Sequence, residues 1–546
     1  MRKLFWVFLL ISTEWCHYVD SNTTQIYAST SEVRLLLESE RQLVWLLQRY
    51  VDKEEERLNV VKKYIDGFSQ VSPGRQPTDL NPLQGYRLLQ RIVHEWPRIE
   101  RALKPKNKEI TTKIRELRNH TYTPGQQDVE EAALAVVRLQ DIYDLGSTQL
   151  AKGQIHLPSR NKEVKTPVLL TANDCLQLGR QSYYHGYFGF AVDWIREALE
   201  KCKENKHEKE LRGKAYSWLK VAVEEHDKIL LTKGSRGPSW QTFSKPFNSL
   251  LNHEMAGHVA GSEKFSPLLN TVLYGEAERE HYVKLCKGEK LRSSVMDAKV
   301  KCRLVTRNVG YFLLQPLKVE EQSFHPTIVT IYDFLSNEET NRFIDLAVPK
   351  LHRATHRGED GLDKASVRRI SKIAWINDED EKEFISKISR RLELTTGLGA
   401  DRNNYEAEAY QVSNYGLGGH YVTHFDFHLM TNSTRQISKL EEFIGQRIAT
   451  FMIYLTDVEE GGATVFPSLG VAVRPKKGAA VFWWNLYKNG DPDLLTRHGG
   501  CPVLIGSKWV DYSGICRFLL VVMEILKSER HSVVPLGGSK ASSEGL

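Results

Sequence analysis

After its first 21 residues the sequence contains no uninterrupted apolar run of about 18 residues, the length that a membrane-spanning helix needs. It lacks the glycine at every third position that a collagen chain requires. Its charge excess is small, because 75 Lys and Arg residues are balanced by 68 Asp and Glu residues. The sequence therefore predicts no membrane span and no fibrous chain, and nothing in its charge requires a nucleic-acid partner.

Composition and length favour a globular protein of several domains. Hydrophobic residues make up 41% of the 546 residues and charged residues 26%, which is ordinary for folded chains. At roughly 150 residues per domain, three or four domains are expected. A single small binding module is excluded.

The N-terminus has the pattern of a cleavable secretory signal. Arg2 and Lys3 precede the apolar run Leu4–Ile11, which is too short to span a bilayer. We predict a signal peptide over residues 1–21; the alternative is a buried N-terminal helix. The final residues carry no KDEL-type retrieval signal, so residence in the endoplasmic reticulum lumen requires a partner that has one, and outright secretion is the other possibility. In the secretory pathway three sequons become glycosylation candidates: Asn22, Asn119 and Asn432.

The cysteines suit an oxidising compartment. There are seven, and six remain if Cys16 is removed with the signal. Six cysteines allow fifteen connectivities. The economical pairing joins sequence neighbours, Cys286 with Cys302 and Cys501 with Cys516, although proximity in sequence proves no geometry.

Residues 22–150 have the pattern of a helical dimerisation region. A helix beginning near Ser29 carries apolar residues at near-heptad spacing, which is typical of a coiled coil. Asn81-Pro82 predicts the start of a second helix, and residues 128–145 a third. The alternative is a helical bundle without self-association. The heptad-like residues are Leu36, Leu43, Leu47, Tyr50, Leu58, Val61 and Ile65.

Residues 165–265 resemble a tetratricopeptide helix pair rich in tyrosine. Tyr183, Tyr184 and Tyr187 are candidates for binding a proline-rich peptide, since aromatic rings stack on proline and a polyproline-II backbone has no internal hydrogen bonds. The alternative interpretation is the aromatic core of a small helical domain.

The C-terminal part has the texture of an antiparallel β domain. Short runs rich in Val, Ile, Phe, Tyr and Trp recur after residue 328, and we predict a double-stranded β-helix, or jelly roll, over residues 326–530. One helix, capped by Ser336 with Glu339, should pack outside the sheet. Residues 266–325 are expected to be a connector and residues 531–546 a disordered tail. The predicted fold class is α+β multidomain.

The chemistry is indicated by His424 and Asp426. Two residues apart on one strand, they share a face. With His498 they form a 2-His-1-carboxylate triad of the kind that binds Fe(II) and leaves coordination sites open. About two H-x-[DE] triplets are expected at random from 18 histidines and 68 acids, so the triplet alone is uninformative. His420 and His428 share the strand parity and are competing ligands.

Ten residues after His498, Lys508 offers a point cation suited to an acidic co-substrate. With that context, several segments resemble the collagen prolyl 4-hydroxylase α-subunit family. The resemblance covers nearly the whole mature chain to about Val510. The segments are Arg138–Tyr143, Leu176–Gly179, Tyr282–Gly288, Arg369–Lys372, Tyr410–Phe427, Arg447–Thr450, Glu460–Pro467, Pro475–Gly478, Phe482–Leu486, Thr496–His498 and Cys501–Trp509.

The resemblance implies hydroxylation of peptidyl proline at C4, coupled to decarboxylation of 2-oxoglutarate with O₂. His424, Asp426 and His498 would ligate Fe(II). Lys508 would pair with the distal carboxylate of 2-oxoglutarate, helped by Thr464 and Tyr415. Tyr421 would border the peptide site, although simple alternation puts it opposite His424, so that role needs a bend or bulge. Ascorbate would rescue oxidised iron, and protein disulfide isomerase would be the β subunit of an α₂β₂ tetramer that supplies the retention signal.

The segment after Val510 departs from the family, which usually continues there with a second Lys-Trp pair. The family's second tryptophan falls near Gly514, so we expect one wall of the peptide site to be absent. This departure motivates an alternative, a non-catalytic subunit or chaperone that binds proline-rich peptides. Hydroxylation of lysine is disfavoured, since the collagen lysyl hydroxylases place arginine where Lys508 stands.

Overall fold

The computed structural model describes residues 55, 57–68, 81–103, 126–204, 209–233, 276–357, 363–365, 368–402, 406–416, 418–427 and 446–517. Several predicted features lie outside these ranges and stay predictions. They are the signal peptide, the sequons at Asn22, Asn119 and Asn432, the heptad residues before Leu58, His428, and the tail after Arg517.

The helices occupy the N-terminal half of the described chain and flank the sheets of the C-terminal half. They are α1 (Pro82–Gln90), α2 (Trp96–Ala102), α3 (Gln126–Tyr143), α4 (Ser147–Ala151), α5 (Ala172–Tyr184), α6 (Phe188–Glu204), α7 (Lys209–Lys233), α8 (Glu276–Cys286), α9 (Ser294–Asp297), α10 (Gly310–Leu314), α11 (Asn337–Ala347) and α12 (Lys382–Thr396).

Two of the predicted helix starts are confirmed by their capping residues. The Asn81 side chain accepts a hydrogen bond from the Gln84 backbone at 2.9 Å and opens α1. Ser336 and Glu339 form a reciprocal capping box at the start of α11. Such caps satisfy backbone N–H groups that the first helical turn leaves without partners.

The chain divides into two compact units. The first comprises residues 1–71 and 96–121, of which residues 57–68 and α2 are described helices. Within residues 57–68 the predicted heptad positions Leu58 and Ile65 are more than half exposed. An exposed apolar face is compatible with the predicted self-association, which stays a prediction.

The second unit comprises residues 72–95 and 122–546. In its helical part, α3 packs against α1 and α5, and α5, α6 and α7 pack in succession. Trp194 of α6 is fully buried and donates to the Gln140 side chain of α3 at 2.8 Å. Helix α3, predicted to belong to the dimerisation region, thus shares one core with α5, α6 and α7.

Strands dominate the rest of the second unit, and all strand pairings among the described residues are antiparallel. They are β1 (Gln154–Leu157), β2 (Lys162–Lys165), β3 (Cys302–Val305), β4 (Leu317–Phe324), β5 (Thr327–Tyr332), β6 (His352–Arg353), β7 (Thr355–Arg357), β8 (Asp363–Ala365), β9 (Lys372–Ile376), β10 (Tyr410–Tyr415), β11 (Tyr421–His424), β12 (Gln446–Tyr454), β13 (Glu460–Gly461), β14 (Thr464–Phe466), β15 (Val471–Val473), β16 (Ala480–Trp484), β17 (His498–Gly500), β18 (Val503–Ile505) and β19 (Lys508–Arg517).

A nine-stranded and a four-stranded sheet enclose the site. The larger has the order β3-β4-β5-β16-β12-β19-β10-β9-β6 and the smaller β11-β17-β14-β15. Buried side chains from both sheets, among them Met452 and Phe466, form one apolar cluster between them. On the other face of the larger sheet, Phe343 of α11 and Ile388 of α12 are fully buried. The larger sheet begins at Cys302, before residue 326, where the sequence analysis placed the start of the β domain.

Strand β19 carries the segment that departs from the family. Residues 511–517 continue the strand beyond Val510 and pair with β10 and β12. Alternation along β19 turns Lys508 and Tyr512 toward the site and Asp511 toward the helices α11 and α12. Up to Arg517 the departing segment is therefore an ordered central strand.

The predicted disulfide pairing is wrong. Cys286, at the end of α8, is bonded to Cys501, which follows β17, with a Cα–Cα distance of 5.5 Å. Cys302 is an exposed free thiol in β3. Sequence proximity failed as a guide because the antiparallel sheets bring distant segments together, and the bond ties a helix to the edge of the site.

No helix in the described ranges combines the length and the apolar composition needed to cross a membrane.

Candidate active site

Pairing of β11 with β17 assembles three of the predicted residues. The two strands place His424 directly opposite His498. A ligand atom of each histidine and a carboxylate oxygen of Asp426 all lie within 4.8 Å of one another. We call these three residues the triad. Strand β11 ends at His424, so Asp426 reaches the triad from a bend and not from the shared strand face that the sequence analysis assumed.

Backbone carbonyls orient both imidazoles. His424 Nδ1 lies 2.8 Å from the Val422 carbonyl oxygen, and His498 Nδ1 lies 3.0 Å from that of Thr496. A carbonyl only accepts, so each Nδ1 carries the proton and each Nε2 presents a lone pair toward Asp426. The His498 Nε2 atom is buried and has no hydrogen-bond partner.

Asp426 is held in its ionised form. Burial alone would raise its pKa, but the guanidinium of Arg447, 3.6 Å from Asp426 Oδ1, contributes to reversing that effect, and the pKa lies well below its usual range. Thr450 Oγ1 donates to Asp426 Oδ2 at 2.7 Å, and Arg447 Nη1 donates to the Asp426 carbonyl oxygen at 2.9 Å. Burial lowers the pKa of His498 to about 4, so its imidazole is neutral at pH 7. Two imidazoles and a carboxylate are the donor set of a facial triad.

A second group of buried residues surrounds Lys508, the first residue of β19. Its side chain is 2% exposed, and Nζ lies 3.4 Å from Thr464 Oγ1 and over the rings of Tyr415 and Tyr454. We call these four residues the lysine site. Burial lowers the pKa of Lys508 to about 7, and no carboxylate pairs with it in the part of the chain that the structure describes. Such a cation strongly favours an anionic ligand.

Tyr421 borders the triad through the irregularity that its predicted role required. The register of β11 against β17 shifts between Tyr421 and His424, and the two rings stack with centroids 3.6 Å apart. The shift lies after Tyr421 and not at the preceding glycines, where the sequence analysis looked for it. Arg369 lies over the Tyr421 ring at 5.0 Å.

A cavity of about 120 Å³ opens beside the triad. Its walls include Arg369, Glu408, Arg447 and Tyr512, which the sequence analysis did not name as site residues. Arg447 Nη2 donates to both carboxylate oxygens of Glu408 at 2.8 Å. Arg369 and Arg447 both lie in segments that resemble the family, which could have marked them as site residues. No sequence pattern indicated that they line one cavity.

Gly514 lies in the wall of this cavity, where the family's tryptophan was expected. A Cβ atom on Gly514 would lie 2.3 Å from Arg447 Nε and 2.4 Å from Glu408 Oε2. The Arg447–Glu408 ion pair therefore occupies the space that a side chain at 514 would need. That one wall of the peptide site is missing at Gly514 stays a prediction.

The three predicted peptide-binding tyrosines are not part of this cavity. Tyr183 is 3% exposed and contacts Phe188 and Trp218 edge-on, and Tyr187 is 8% exposed and stacks on Phe190. Tyr184 is half-buried. Their rings thus contribute to the helical core, and their role toward peptide stays a prediction.

The competing ligands do not join the triad. His420 directly precedes β11 and is buried. It is not among the residues whose ligand atoms converge. His428 lies outside the described residues.

Comparisons with known proteins agree with this geometry. Residues 29–157 match the family described as prolyl 4-hydroxylase alpha-subunit, N-terminal region, and residues 410–511 match the 2OG-Fe(II) oxygenase superfamily. Prolyl 4-hydroxylase subunit alpha-2 of Gallus gallus is 32% identical over 89% of this chain and 92% of its own length. Prolyl 4-hydroxylase subunit alpha-1 of Homo sapiens is 33% identical, also over 89% of this chain and 92% of its own length.

A solved structure also matches part of the chain. The viral collagen prolyl hydroxylase of Paramecium Bursaria Chlorella virus-1, in its 2OG complex, is 25% identical over 35% of this chain and 96% of its own, with a TM-score of 0.26.

Proposed function

Because this chain belongs to the prolyl 4-hydroxylase α-subunit family, we propose that it hydroxylates peptidyl proline at C4 in collagen-like, proline-rich chains. The reaction is coupled to oxidative decarboxylation of 2-oxoglutarate to succinate and CO₂. The observation that carries the proposal is the triad beside a buried, uncompensated lysine. One group suits a divalent metal and the other suits a dicarboxylate.

The triad residues fit Fe(II). His424 and His498 present Nε2 atoms whose orientation is fixed by backbone carbonyls, and the buried His498 Nε2 has no other partner. Asp426 supplies the carboxylate, and Thr450 and Arg447 fix its position as outer partners of metal ligands commonly do. When bound together, Fe(II), 2-oxoglutarate and O₂ supply the oxidising chemistry that replaces a C4 hydrogen of proline with hydroxyl.

Lys508 is proposed to hold the distal carboxylate of 2-oxoglutarate. An arriving carboxylate compensates the buried ammonium, and the hydroxyl of Thr464, 3.4 Å from Nζ, can donate to the same anion. Tyr415, whose ring lies 5.5 Å from Nζ, forms one side of this site. The residues would thus orient the co-substrate toward the triad and exclude water from its charged end.

The peptide is proposed to enter through the cavity beside the triad. Tyr421 lines this cavity, and the guanidinium groups of Arg369 and Arg447 would hydrogen-bond backbone carbonyls of an extended chain in place of partners within the protein. A polyproline-II segment leaves its carbonyls free to accept such bonds. A more distant part of the peptide would bind the tetratricopeptide-like region, with Tyr184, the most accessible of the three tyrosines, in first contact.

The finer organisation is proposed as the sequence analysis stated it. The catalytic domain is a jelly roll, preceded by a tetratricopeptide-like peptide-binding domain over residues 165–265 and a dimerisation region over residues 22–150. Ascorbate rescues oxidised iron. The chain works in the endoplasmic reticulum lumen, after signal cleavage, in an α₂β₂ tetramer with protein disulfide isomerase.

The proposal is tested by co-expression with protein disulfide isomerase and by mass spectrometry of a (Pro-Pro-Gly)-repeat peptide after incubation with Fe(II), 2-oxoglutarate and ascorbate. We expect one added oxygen atom on proline. Oxygen on lysine in a lysine-containing peptide would instead establish a lysyl hydroxylase. Soluble assembly that binds the peptide without turnover would establish the non-catalytic alternative.

The structure gives less reason to favour the non-catalytic alternative. It was motivated by the departing segment after Val510, but residues up to Arg517 complete the larger sheet between β10 and β12. The triad and Lys508 are all present. An active enzyme is therefore the favoured function.

A further inference from the structure

Helix α3 contacts the catalytic domain at two points, although it belongs to the helical core. At its C-terminal end, the Tyr143 hydroxyl donates to the Pro502 carbonyl oxygen at 2.6 Å. One and a half turns earlier, Arg138 Nη1 lies 3.3 Å from the Gly418 carbonyl oxygen. Tyr143 is 1% exposed, so its hydroxyl is buried within the contact.

The Gly461–Gly462 turn lies between Tyr143 and the lysine site. Its hydroxyl lies against the Gly461–Gly462 turn, where a Cβ atom on Gly461 would be 2.7 Å from the Tyr143 oxygen and 2.4 Å from the Pro502 carbonyl. The Gly462 N–H donates to the same Pro502 carbonyl at 3.1 Å. On its other side the turn lies close to Lys508, since a Cβ atom added to Gly462 would be 3.5 Å from Lys508 Cδ.

Both glycines adopt backbone angles that favour glycine, with φ of +80° at Gly461 and +67° at Gly462. Gly461 ends β13, which pairs with β18, and the two glycines have no side chains of their own to fix the turn beyond that pairing, so neighbouring groups contribute to its position. Two residues later, Thr464 places its hydroxyl 3.4 Å from Lys508 Nζ. A shift of the turn would therefore move both Thr464 and the stem of Lys508.

The Arg138 contact holds a second segment, the loop at Gly418 that precedes β11. Gly418 has φ of +58°, and a Cβ atom there would lie 2.9 Å from Ala135 Cβ, so the helix and the loop are in close contact. The next residue, Gly419, accepts a hydrogen bond from the Val503 N–H at 3.1 Å. The two loops that α3 contacts are thus also bonded to each other.

We propose that Tyr143 is a positioning residue for the 2-oxoglutarate site. Its hydroxyl fixes the Pro502 carbonyl and the Gly461–Gly462 turn, and through them the geometry of Lys508 and Thr464. The helical part of the chain then contributes to co-substrate affinity without touching the co-substrate. The inference rests on the proposed function, since it takes the lysine site as the place where 2-oxoglutarate binds.

Tyr143→Phe tests the proposal, because it removes only the hydroxyl and leaves Pro502 bonded to Gly462. The matched control is Tyr86→Phe, a fully buried tyrosine of the same helical core whose hydroxyl accepts from Gln90 and donates to the Asp174 carbonyl oxygen, both in the helical part of the chain. We expect the 2-oxoglutarate KM of Tyr143→Phe to rise about three- to tenfold, the factor of one lost hydrogen bond, with little change in kcat or peptide KM. Tyr86→Phe should leave all three unchanged.

A direct binding measurement separates this proposal from the proposed function. Calorimetric titration of 2-oxoglutarate into the Mn(II)-loaded assembly should show the same loss of affinity in Tyr143→Phe, whether or not the enzyme turns over. Wild-type protein that binds 2-oxoglutarate without hydroxylating peptide would refute only the proposed function. Equal loss of thermal stability in both variants with unchanged 2-oxoglutarate affinity would show that Tyr143 only packs, and no binding by wild-type protein would overturn both proposals.

Discussion

The triad and the lysine site differ in how their buried charges are balanced. The carboxylate of Asp426 accepts a hydrogen bond from Thr450 and lies beside two imidazoles and the guanidinium of Arg447. The ammonium of Lys508, which is more deeply buried, has a hydroxyl and two tyrosine rings around it and no carboxylate among the described residues. One group is compensated within the chain, and the other is not.

This difference indicates what each site requires of its ligand. The triad is held in a ligating geometry by the protein, so a metal ion finds oriented donors when it arrives. The lysine site has a desolvation cost that only an anion removes. Changes in the triad should therefore abolish the whole reaction, whereas changes in the lysine site should act on one co-substrate.

The largest effect is expected from His498→Ala, which removes a triad ligand. Because two protein ligands hold Fe(II) far more weakly than three, metal binding and hydroxylation should both fall below detection while the assembly stays folded. Metal content after dialysis and hydroxyproline formation measure the two outcomes. His352→Ala, at a surface histidine remote from the triad, is the control. Retained metal in His498→Ala would show that the residue is not a ligand.

Lys508→Ala should raise the 2-oxoglutarate KM by at least about thirtyfold, since loss of one partner of a buried charge pair costs about 2–5 kcal/mol. Peptide binding should not change, because none of the four lysine-site residues lines the cavity beside Tyr421 and Arg447. Steady-state kinetics with each substrate varied separately measure the split. An equal effect on peptide KM would remove the distinction between the two sites.

A smaller effect in the triad is expected from Thr450→Val, which deletes the donor to Asp426 and keeps the shape of the side chain. Loss of a hydrogen-bonded partner of a metal ligand typically costs about 10–100-fold in metal affinity or activity. Thr330→Val, at a buried threonine of β5, is the matched control. Competition with a metal chelator gives the relative affinities. Equal affinities in the two variants would mean that Asp426 does not depend on Thr450.

The lysine site also predicts a proton uptake of at most about one per bound 2-oxoglutarate. The pKa of Lys508 is lowered to about 7 without ligand, so above pH 7 the folded, ligand-free protein has a neutral amine there. A bound carboxylate stabilises the ammonium and raises that pKa, so binding takes up a proton at pH 8 and almost none at pH 6. Affinity should accordingly weaken as the pH rises through 7.

Calorimetry in buffers of different ionisation enthalpy measures this uptake. His498, with a pKa lowered to about 4, does not titrate between pH 6 and 8, so its contribution is small. Lys508→Ala should abolish the uptake at pH 8. Uptake that persists in this variant would assign the proton to another group.

The site was predictable where local patterns determine it. The H-x-D triplet of His424 and Asp426 gained meaning from His498 and Lys508 further along the chain and from the family resemblance of the surrounding segments. The helix caps at Asn81 and Ser336 follow from local chemistry alone.

The parts that were missed depend on contacts between distant segments. The disulfide partner of Cys286 is 215 residues away, a distance that no spacing argument reaches. Glu408 and Arg447 line one cavity only because β10 and β12 flank β19. Helix α3 is buried on nearly every side, so its apolar pattern could not tell which neighbour each face contacts.

The central claim is tested most directly by the stoichiometry of the reaction. Succinate and 4-hydroxyproline should be counted in the same samples of the assembly with protein disulfide isomerase, Fe(II), ascorbate, 2-oxoglutarate and a (Pro-Pro-Gly)-repeat peptide. The account predicts equal amounts of the two products in the wild-type protein and neither in His498→Ala. Peptide-dependent succinate without hydroxyproline, or neither product from a folded, metal-loaded assembly, would contradict it.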